Sequence, residues 1–342
     1  MKTPNMGLSA IRSGHEGAMS RIKHFCSSFA VALVCTLLCW SAPSAEPWPQ
    51  RTVRVVLPLP AGSGTDTAGR LFAQGLTERW GQPVIIENRP GADGIPAVTS
   101  FVSAHDDHTL LLSFAGVITI NPLLHPKLSY DPDKDLVPIA PIVDNFFAIA
   151  VSESLKVASL EEFVRLARGQ PGKLNWAATS GLPDFIFAAL QDNAGIKLTQ
   201  VSYREFAPAL QDLGEGRIQV AVTGLSLLLA QVQAGKARLL MVTNAERAPL
   251  APEVPTAQEA GYPDLTFSGV VGFYGWREIS TELKERIAVD VRAVGSDPGI
   301  SARVKDLGSV VHIDTPKGFT AAIEEQRAKI AAIHQMMMRP TR

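Results

Sequence analysis

Apolar runs of strand length alternate with helix-like amphipathic segments along most of the chain after residue 50. The apolar runs cover residues 53–57, 84–87, 109–114, 146–151, 173–177, 198–203, 217–222 and 238–243. Between the first two runs, over residues 66–80, apolar residues such as Leu71, Phe72 and Leu76 recur at helical spacing. Regular alternation of strands and helices predicts an α/β fold whose parallel sheets are covered by helices on both faces.

Two helix starts are marked by capping residues. Ser159 with Glu162 forms a capping-box pattern at the start of one amphipathic segment. Thr315 followed by Pro316 predicts the start of a final helix, whose apolar face carries Phe319, Ile323, Ile330 and Ile333. Since no repeat and no low-complexity linker interrupts the chain, we expect any crossing between lobes to occur within ordered segments.

The first 45 residues have the pattern of a cleavable secretory signal. Arg21 and Lys23 precede an uncharged run over residues 25–40, and small residues follow up to Ala45. That run is shorter than the ~20 residues of a membrane-spanning helix. The pattern therefore predicts a signal peptide over residues 1–45 and export to the periplasm, with Met19 as an alternative start.

All three cysteines, Cys26, Cys35 and Cys39, lie in this predicted signal. The mature chain would have no thiol, which excludes thiol catalysis, cysteine-bound zinc and iron–sulfur clusters. Removing four basic residues and one acidic residue with the signal lowers the 32 Lys+Arg and 33 Asp+Glu of the chain to 28 and 32. A mildly acidic chain does not have the basic excess of a nucleic-acid-binding protein.

The loop over residues 58–66 follows the first apolar run and leads into the first long helix. Gly62 and Gly64 allow a ligand close to the backbone, and the free N–H groups of a helix start favour an anion. The same loop could also be an ordinary tight turn, capped by Thr65 or Asp66. A short Gly-x-Gly does not decide between the two.

Other chemical motifs are incomplete. A dinucleotide fingerprint would need a glycine where Thr67 stands, although Glu87 occupies the place of a ribose-binding acid. Residues 105–108, His-Asp-Asp-His, are interpreted as a polar turn in preference to a metal site. Since no Gly-x-Ser-x-Gly elbow or phosphate loop occurs, the sequence predicts no catalytic set, no metal and no cofactor.

The order of short motifs along nearly the whole mature chain resembles the Bug family, the extracytoplasmic solute-binding proteins of tripartite tricarboxylate transporters. Residues 48–56 look like the opening strand of that family, and residues 58–66 look like its Thr-Asp loop. The most characteristic match is ENRPGADG at residues 87–94. Further matches lie at residues 121–122, 130–132, 171–175, 207–210, 254–256 and 259–261.

This resemblance implies a type II periplasmic-binding-protein fold, with two doubly wound lobes joined by two hinge crossings and a ligand cleft between them. Lobe 1 would comprise residues 46–145 plus 268–342, and lobe 2 residues 146–267. The implied function is a non-enzymatic, monomeric receptor that delivers a small organic carboxylate to a membrane permease. The alternatives are a ligand-presenting sensor for a membrane signalling receptor and an exported enzyme acting on a small organic acid.

The resemblance also implies ligand-binding residues, position by position. They are Ala61, Gly62, Ser63, Gly64, Thr65, Asp66 and Ser113 in lobe 1, and Thr179, Ser180, Gly181, Tyr203, Thr223 and Gly224 in lobe 2. The second-lobe loops depart from the family pattern, with Glu205 in place of a glycine. With Phe185 and Leu225 expected to face the pocket, we predict a carboxylate ligand with an apolar or aromatic body in preference to citrate.

Overall fold

The computed structural model describes residues 48–339, so the predicted signal peptide and its cysteines lie outside the described residues. The chain divides into two units at Gln50, and the architecture below concerns the second unit, Arg51–Arg342. Within residues 48–339, no helix combines the length and apolar character needed to cross a membrane.

The first sheet takes its six strands from both ends of this unit. In spatial order they are β11 (Ser309–Val311), β4 (Val137–Asn145), β10 (Gly269–Gly275), β3 (Thr109–Phe114), β1 (Val53–Leu57) and β2 (Val84–Asn88). Its associated helices are α1 (Gly64–Trp80), α2 (Ile95–Val102), α3 (Gly116–Thr119), α4 (Asn121–Leu124), α5 (Pro132–Asp135), α10 (Thr281–Gly295), α11 (Pro298–Asp306) and α12 (Pro316–Met337).

The second sheet lies entirely in the middle of the sequence. Its strands, in spatial order, are β7 (Thr199–Gln200), β6 (Asn175–Ala178), β8 (Val220–Gly224), β5 (Phe147–Ser152) and β9 (Ala237–Val242). The helices of this part are α6 (Leu160–Arg168), α7 (Leu182–Ala194), α8 (Phe206–Gly214) and α9 (Leu225–Gln233). Of the predicted run 198–203, only Thr199 and Gln200 form a strand, at the sheet edge.

The α/β class is confirmed, but the expectation of purely parallel sheets is wrong. β1 is parallel to β2 and β3, whereas β10 is antiparallel to β3 and β4. In the second sheet, β5 is antiparallel to both β8 and β9. β11 is antiparallel to β4 as well. β5 and β10 are the first strands after the chain crosses from the other sheet. They are not joined within their own sheet by the helical crossover that makes neighbouring strands parallel.

Two chain crossings join the sheets, and they are hydrogen-bonded to each other. The first is short, because only Phe146 separates β4 from β5. The second crossing enters β10 after Phe267, whose amide donates to the Thr243 carbonyl oxygen at 2.9 Å. The Thr243 amide in turn donates to the Phe147 carbonyl oxygen at 3.0 Å, and Asn244 Nδ2 donates to the Asn145 carbonyl oxygen at 3.2 Å. These bonds fix the two crossings side by side.

The predicted helix starts are confirmed. Ser159 Oγ accepts from the Glu162 amide at 3.2 Å, and Glu162 Oε2 accepts from the Ala158 amide at 2.7 Å, one residue before the cap. Thr315 Oγ1 accepts from the Gly318 amide at 3.1 Å, with Pro316 in the first turn of α12.

The last helix contributes to two hydrophobic clusters. Phe319 and Ile323 are buried with Leu111 and Tyr274 of the first sheet. Ile330, about two helical turns after Ile323, is buried in the cluster that contains Phe185 of α7. The partly buried Ile333 packs against the same cluster. The apolar face predicted for this helix is therefore divided between the core of the first sheet and that of the second.

Close packing of α12 on the first sheet depends on Gly272 in β10. A Cβ atom there would lie 2.5 Å from Phe319 Cζ and 2.6 Å from the Ala140 carbonyl oxygen. Because the second of these atoms belongs to the backbone of a central strand, the sheet has little freedom to relax.

We expect Gly272→Ala to lower the free energy of unfolding by about 1–3 kcal/mol, since it overpacks this contact. Gly224→Ala is the matched control, because no atom lies within 4 Å of the added Cβ, and its effect should stay within about 0.5 kcal/mol. Urea unfolding of both variants measures the difference. Equal stability of Gly272→Ala and the unsubstituted protein would contradict the overpacking argument.

Candidate functional site

A cavity of about 610 Å³ opens between the loops of the two sheets. Strand ends from both sheets supply its walls, as is usual in α/β proteins, where ligands bind beyond the carboxyl ends of strands. The first-sheet part includes Leu59, Gly62–Thr65, Asp93, Phe114–Gly116, Ile120, Asn121, Leu124, Ser268–Val271, Leu307–Ser309 and Gln326. The crossing and the second-sheet part supply Asn145–Phe147, Thr179–Pro183, Thr223, Gly224, Ser226 and Leu227.

Most of the predicted site residues are brought together on this cavity. Gly62, Ser63, Gly64 and Thr65 line one side, and Thr179, Ser180, Gly181, Thr223 and Gly224 line the other. Ala61, Asp66, Ser113 and Tyr203 do not belong to the lining. The second-sheet loops at residues 179–183 and 223–227 therefore reach the cavity, whereas the loop that contains Tyr203 and Glu205 does not belong to its lining.

The loop after β1 presents a helix start to the cavity. Its cap is Ser63, whose Oγ accepts from the Asp66 amide at 3.2 Å, so the expectation of Thr65 or Asp66 as the cap is wrong. In the described part of the chain, no acceptor is found for the amides of Gly64 and Thr65. Both residues line the cavity, so these two donors and the positive helix end favour an anion there.

The carboxylate of Asp66 holds this loop in place through hydrogen bonds. Its Oδ2 accepts from the Gly62 amide at 2.9 Å and from Arg70 Nε at 3.0 Å, while Oδ1 accepts from Asn88 Nδ2 at 2.8 Å. Burial alone would raise the pKa of Asp66, but the hydrogen bonds from Arg70, Asn88 and Gly62 outweigh it and lower the pKa below 3.8. Asp66 is therefore a negatively charged anchor of the turn.

The predicted site residues Ser113 and Tyr203 lie outside the cavity lining, and their hydroxyl groups are in different surroundings. Ser113 is 1% exposed within β3, opposite Gly272, and its Oγ has no hydrogen-bond partner among the described residues. The Tyr203 hydroxyl donates to Asp212 Oδ2 at 2.6 Å. Burial, together with this bond, raises the pKa of Tyr203 to about 12. Tyr203 packs against the second-sheet cluster that contains Ala209 and Leu213.

The apolar part of the lining comes from residues other than those predicted. Phe185 and Leu225 are each 1% exposed and lie in hydrophobic clusters, so the prediction that they face the pocket is wrong. Phe114, Phe147, Leu182, Leu124 and Leu227 take that role. The helices α7 and α9, which begin after Gly181 and Gly224, each contain apolar residues that line the cavity and apolar residues that are buried in a hydrophobic cluster. Only the packing of the two helices decides which residues face the cavity.

Asp93 is the single charged residue of the lining within residues 48–339, and no lysine or arginine belongs to it. An anionic ligand would therefore be held by backbone amides and by the hydroxyl groups of Thr65, Thr179 and Thr223. Thr179 Oγ1 and Thr223 Oγ1 lie 3.2 Å apart. Asn145 connects two segments of the first-sheet wall, because its Nδ2 donates to Thr65 Oγ1 at 3.2 Å and its Oδ1 accepts from Ser309 Oγ at 2.8 Å.

Residues 105–108 form a turn before β3. Asp106 Oδ1 accepts from the His108 amide at 2.6 Å, and Asp106 Oδ2 accepts from Thr109 Oγ1 at 3.2 Å. Among the residues that the structure describes, no group of three His, Cys, Asp or Glu side chains is arranged to hold a metal ion.

A family model described as the tripartite tricarboxylate transporter family receptor matches residues 68–337. Among curated proteins, the chain is 29% identical over 229 residues to the protein BugT of Bordetella pertussis. That match covers 66% of this chain and 70% of BugT.

Two solved structures from Rhodopseudomonas palustris are similar in both fold and sequence. Rpa4515 with adipate is 28% identical with a TM-score of 0.74, and the match covers 84% of this chain and 98% of that one. MatC with bound malate is also 28% identical, with a TM-score of 0.71 and coverage of 84% and 100%. These matches confirm the predicted fold class and the predicted family resemblance.

We expect Asp66→Asn to lower the free energy of unfolding at pH 7 by about 1–3 kcal/mol, because the new amide nitrogen replaces either the oxygen that accepts from Gly62 and Arg70 or the oxygen that accepts from Asn88. The folded-state pKa of Asp66 lies below 3.8, so its stabilisation is complete above that pH. It is lost as the pH falls through the folded-state pKa. The difference between the two proteins should therefore shrink in acid.

Denaturant unfolding at a series of pH values measures this dependence. The exposed Asp264 offers a control, since Asp264→Asn removes the same charge from the surface and should change stability little at any pH. A stability difference for Asp66→Asn that grows as the pH falls would contradict the assigned direction.

Proposed function

The chain belongs to the family of tripartite tricarboxylate transporter receptors, and from this we propose that it is a periplasmic receptor for a small organic carboxylate. Members of this family are periplasmic solute-binding proteins. In the proposed cycle, the ligand binds between the two lobes and the loaded receptor docks on membrane permease subunits, to which it delivers the ligand. The predicted signal peptide over residues 1–45 supplies the route to the periplasm.

The observation that carries this proposal is the pair of unpartnered amides at Gly64 and Thr65, on a helix end that lines the cavity. A carboxylate satisfies such donors without a cationic side chain. Support comes from the relatives, since MatC binds malate and Rpa4515 is seen with adipate. We propose the predicted loop residues as the carboxylate site, with Thr179, Ser180, Thr223 and Gly224 as contacts from the opposite lobe.

A binding role is favoured over catalysis by the chemistry of the lining. Within the described residues, the cavity wall includes no histidine, cysteine, lysine or arginine. The hydroxyl groups of this wall therefore have no histidine or lysine beside them on the described lining to act as a general base. Asp93, the one acid of the wall, accepts hydrogen bonds from Ser180 and His125.

We propose that lobe 1 comprises residues 46–145 and 268–342 and that lobe 2 comprises residues 146–267, closing on the ligand as a monomer. The strands of the two sheets support this division, since those of one fall before Phe146 and after Ser268 and those of the other fall between. The short crossing at Phe146 and the returning one at Ser268 would bend, and Ile330 of α12 packs in the hydrophobic cluster of the second sheet.

We expect Gly64→Val to reduce carboxylate affinity at least about tenfold, because its side chain would occupy the space in front of the two free amides. The fold should tolerate the change, since a Cβ atom there has its nearest neighbour, the Leu307 carbonyl oxygen, at 3.7 Å. Calorimetric titration with hexanoate, adipate, malate and benzoate provides the measurement.

Thr67→Val is the matched control, in the same helical turn but outside the lining. It should keep the affinity of the unsubstituted protein for every acid in the series. Unchanged binding by Gly64→Val would mean that the loop is only a structural turn.

Ligand-driven closure predicts a smaller radius of gyration in the presence of a saturating acid than in its absence. X-ray scattering in solution measures this change. Gly64→Val should show no such change at the same acid concentration. An identical radius for the unsubstituted protein in both conditions would contradict closure.

A further inference from the structure

Asp93 stands on a strained turn at the edge of the cavity. Its backbone has φ 52°, its neighbour Ala92 has φ 46°, and the flanking Gly91 and Gly94 also have positive φ. Non-glycine residues rarely adopt this conformation, although aspartate tolerates it better than most. The turn is held in place from below, because Asn121 Nδ2 donates to the Asp93 carbonyl oxygen at 3.0 Å and also to the Tyr130 hydroxyl at 3.0 Å.

The Asp93 carboxylate connects the two lobes across the cavity. Its Oδ1 accepts from Ser180 Oγ, on the loop after β6, at 3.0 Å. Its Oδ2 lies 2.8 Å from His125 Nε2, which must be the donor because an ionised carboxylate only accepts. About one third of the Asp93 side chain remains exposed, so the negative charge is held at the cavity with both oxygens oriented.

This charge is unbalanced by any cation on the cavity wall of the described chain. Asp184, in the first turn of α7, is close enough to be affected: burial raises its pKa to about 6, and the charge of Asp93 acts in the same direction. The surroundings of Asp93 thus already disfavour a further anion. A ligand with two carboxylates could place one at the amides of Gly64 and Thr65. A second carboxylate on the Asp93 side of the wall would meet a like charge, with His125 beside Asp93 but no lysine or arginine in the lining of the described chain.

The uncharged remainder of the wall favours an apolar ligand body. Phe114, Phe147 and Leu182 line the cavity, and Leu124 and Leu227 line it while 42% and 48% exposed. When a hydrophobic group of a ligand covers apolar surface at the rim of a cleft, that surface is removed from water and the free energy of the complex falls. The helix end supplies the carboxylate site, and these side chains supply a surface for the rest of the molecule.

We propose that Asp93 is a specificity-determining residue that excludes dicarboxylates, so that the receptor selects monocarboxylates with an apolar body. The inference rests on the proposed function, because it assumes that one carboxylate binds at the start of α1. It distinguishes this chain from MatC with malate and Rpa4515 with adipate, both of which hold dicarboxylic acids.

Matched pairs of acids with one carbon skeleton test this selection: hexanoate against adipate, and 4-methylbenzoate against terephthalate. In calorimetric titrations of the unsubstituted protein, the monoacid of a pair should bind at least about tenfold more tightly than the diacid. Tighter binding of both diacids would overturn the inference while leaving the carboxylate receptor in place.

Asp93→Asn removes the negative charge of the side chain while keeping its size and shape. Asparagine accepts positive φ readily and keeps an oxygen for Ser180 Oγ, so the turn and the contact between lobes should survive. The ratio of monoacid to diacid affinity should fall about tenfold. Asp264→Asn, which removes one charge from an exposed site, should leave the ratio unchanged.

The outcomes distinguish the two proposals. An unchanged ratio in Asp93→Asn would overturn the role of Asp93, even if Gly64→Val abolishes binding and so supports the carboxylate site. Failure of every acid to bind the unsubstituted protein would contradict the receptor function and, with it, the selection by Asp93.

Discussion

The buried carboxylate of Asp66 holds together the elements on which the cavity depends. It joins the amide of Gly62, the side chain of Asn88 at the end of β2 and Arg70 one helical turn further along. A buried charge is tolerated only when it is paired and hydrogen-bonded, and here each of those bonds positions part of the loop. The amides of Gly64 and Thr65 are consequently available at the cavity, where a ligand can use them.

The site has an unusual electrostatic arrangement for the capture of acids. Its attraction for an anion comes from backbone dipoles, while Asp93, the one acidic or basic side chain that residues 48–339 place on its wall, is an aspartate. Backbone donors are fixed in place and pay little entropy on binding, which favours recognition of one carboxylate in one position. In the proposed site, Asp93 on the same cavity wall limits what the remainder of the ligand can be.

Local signals in the sequence predicted the parts of the fold that are held by local interactions. The caps at Ser159 and Thr315 depend on residues within one turn, and both are present. β4 and β10 escaped prediction because Pro138 and Pro141 interrupt the first and three glycines weaken the second. These strands form by pairing with each other, with register shifts that accommodate the irregular residues, and such long-range pairing leaves no local pattern.

The sequence by itself determined the α/β class, the loop over residues 58–66 that leads into the first helix, and the family, since each depends on residue order and on contacts between near neighbours. Only the tertiary structure decided that the connecting strands are antiparallel and that α12 packs on both sheets. It also placed Phe114 and Leu227, not Phe185 and Leu225, on the cavity, and Asp93 opposite Ser180. These facts depend on the rotation of helices about their axes and on the approach of distant loops, which are set by packing of the whole chain.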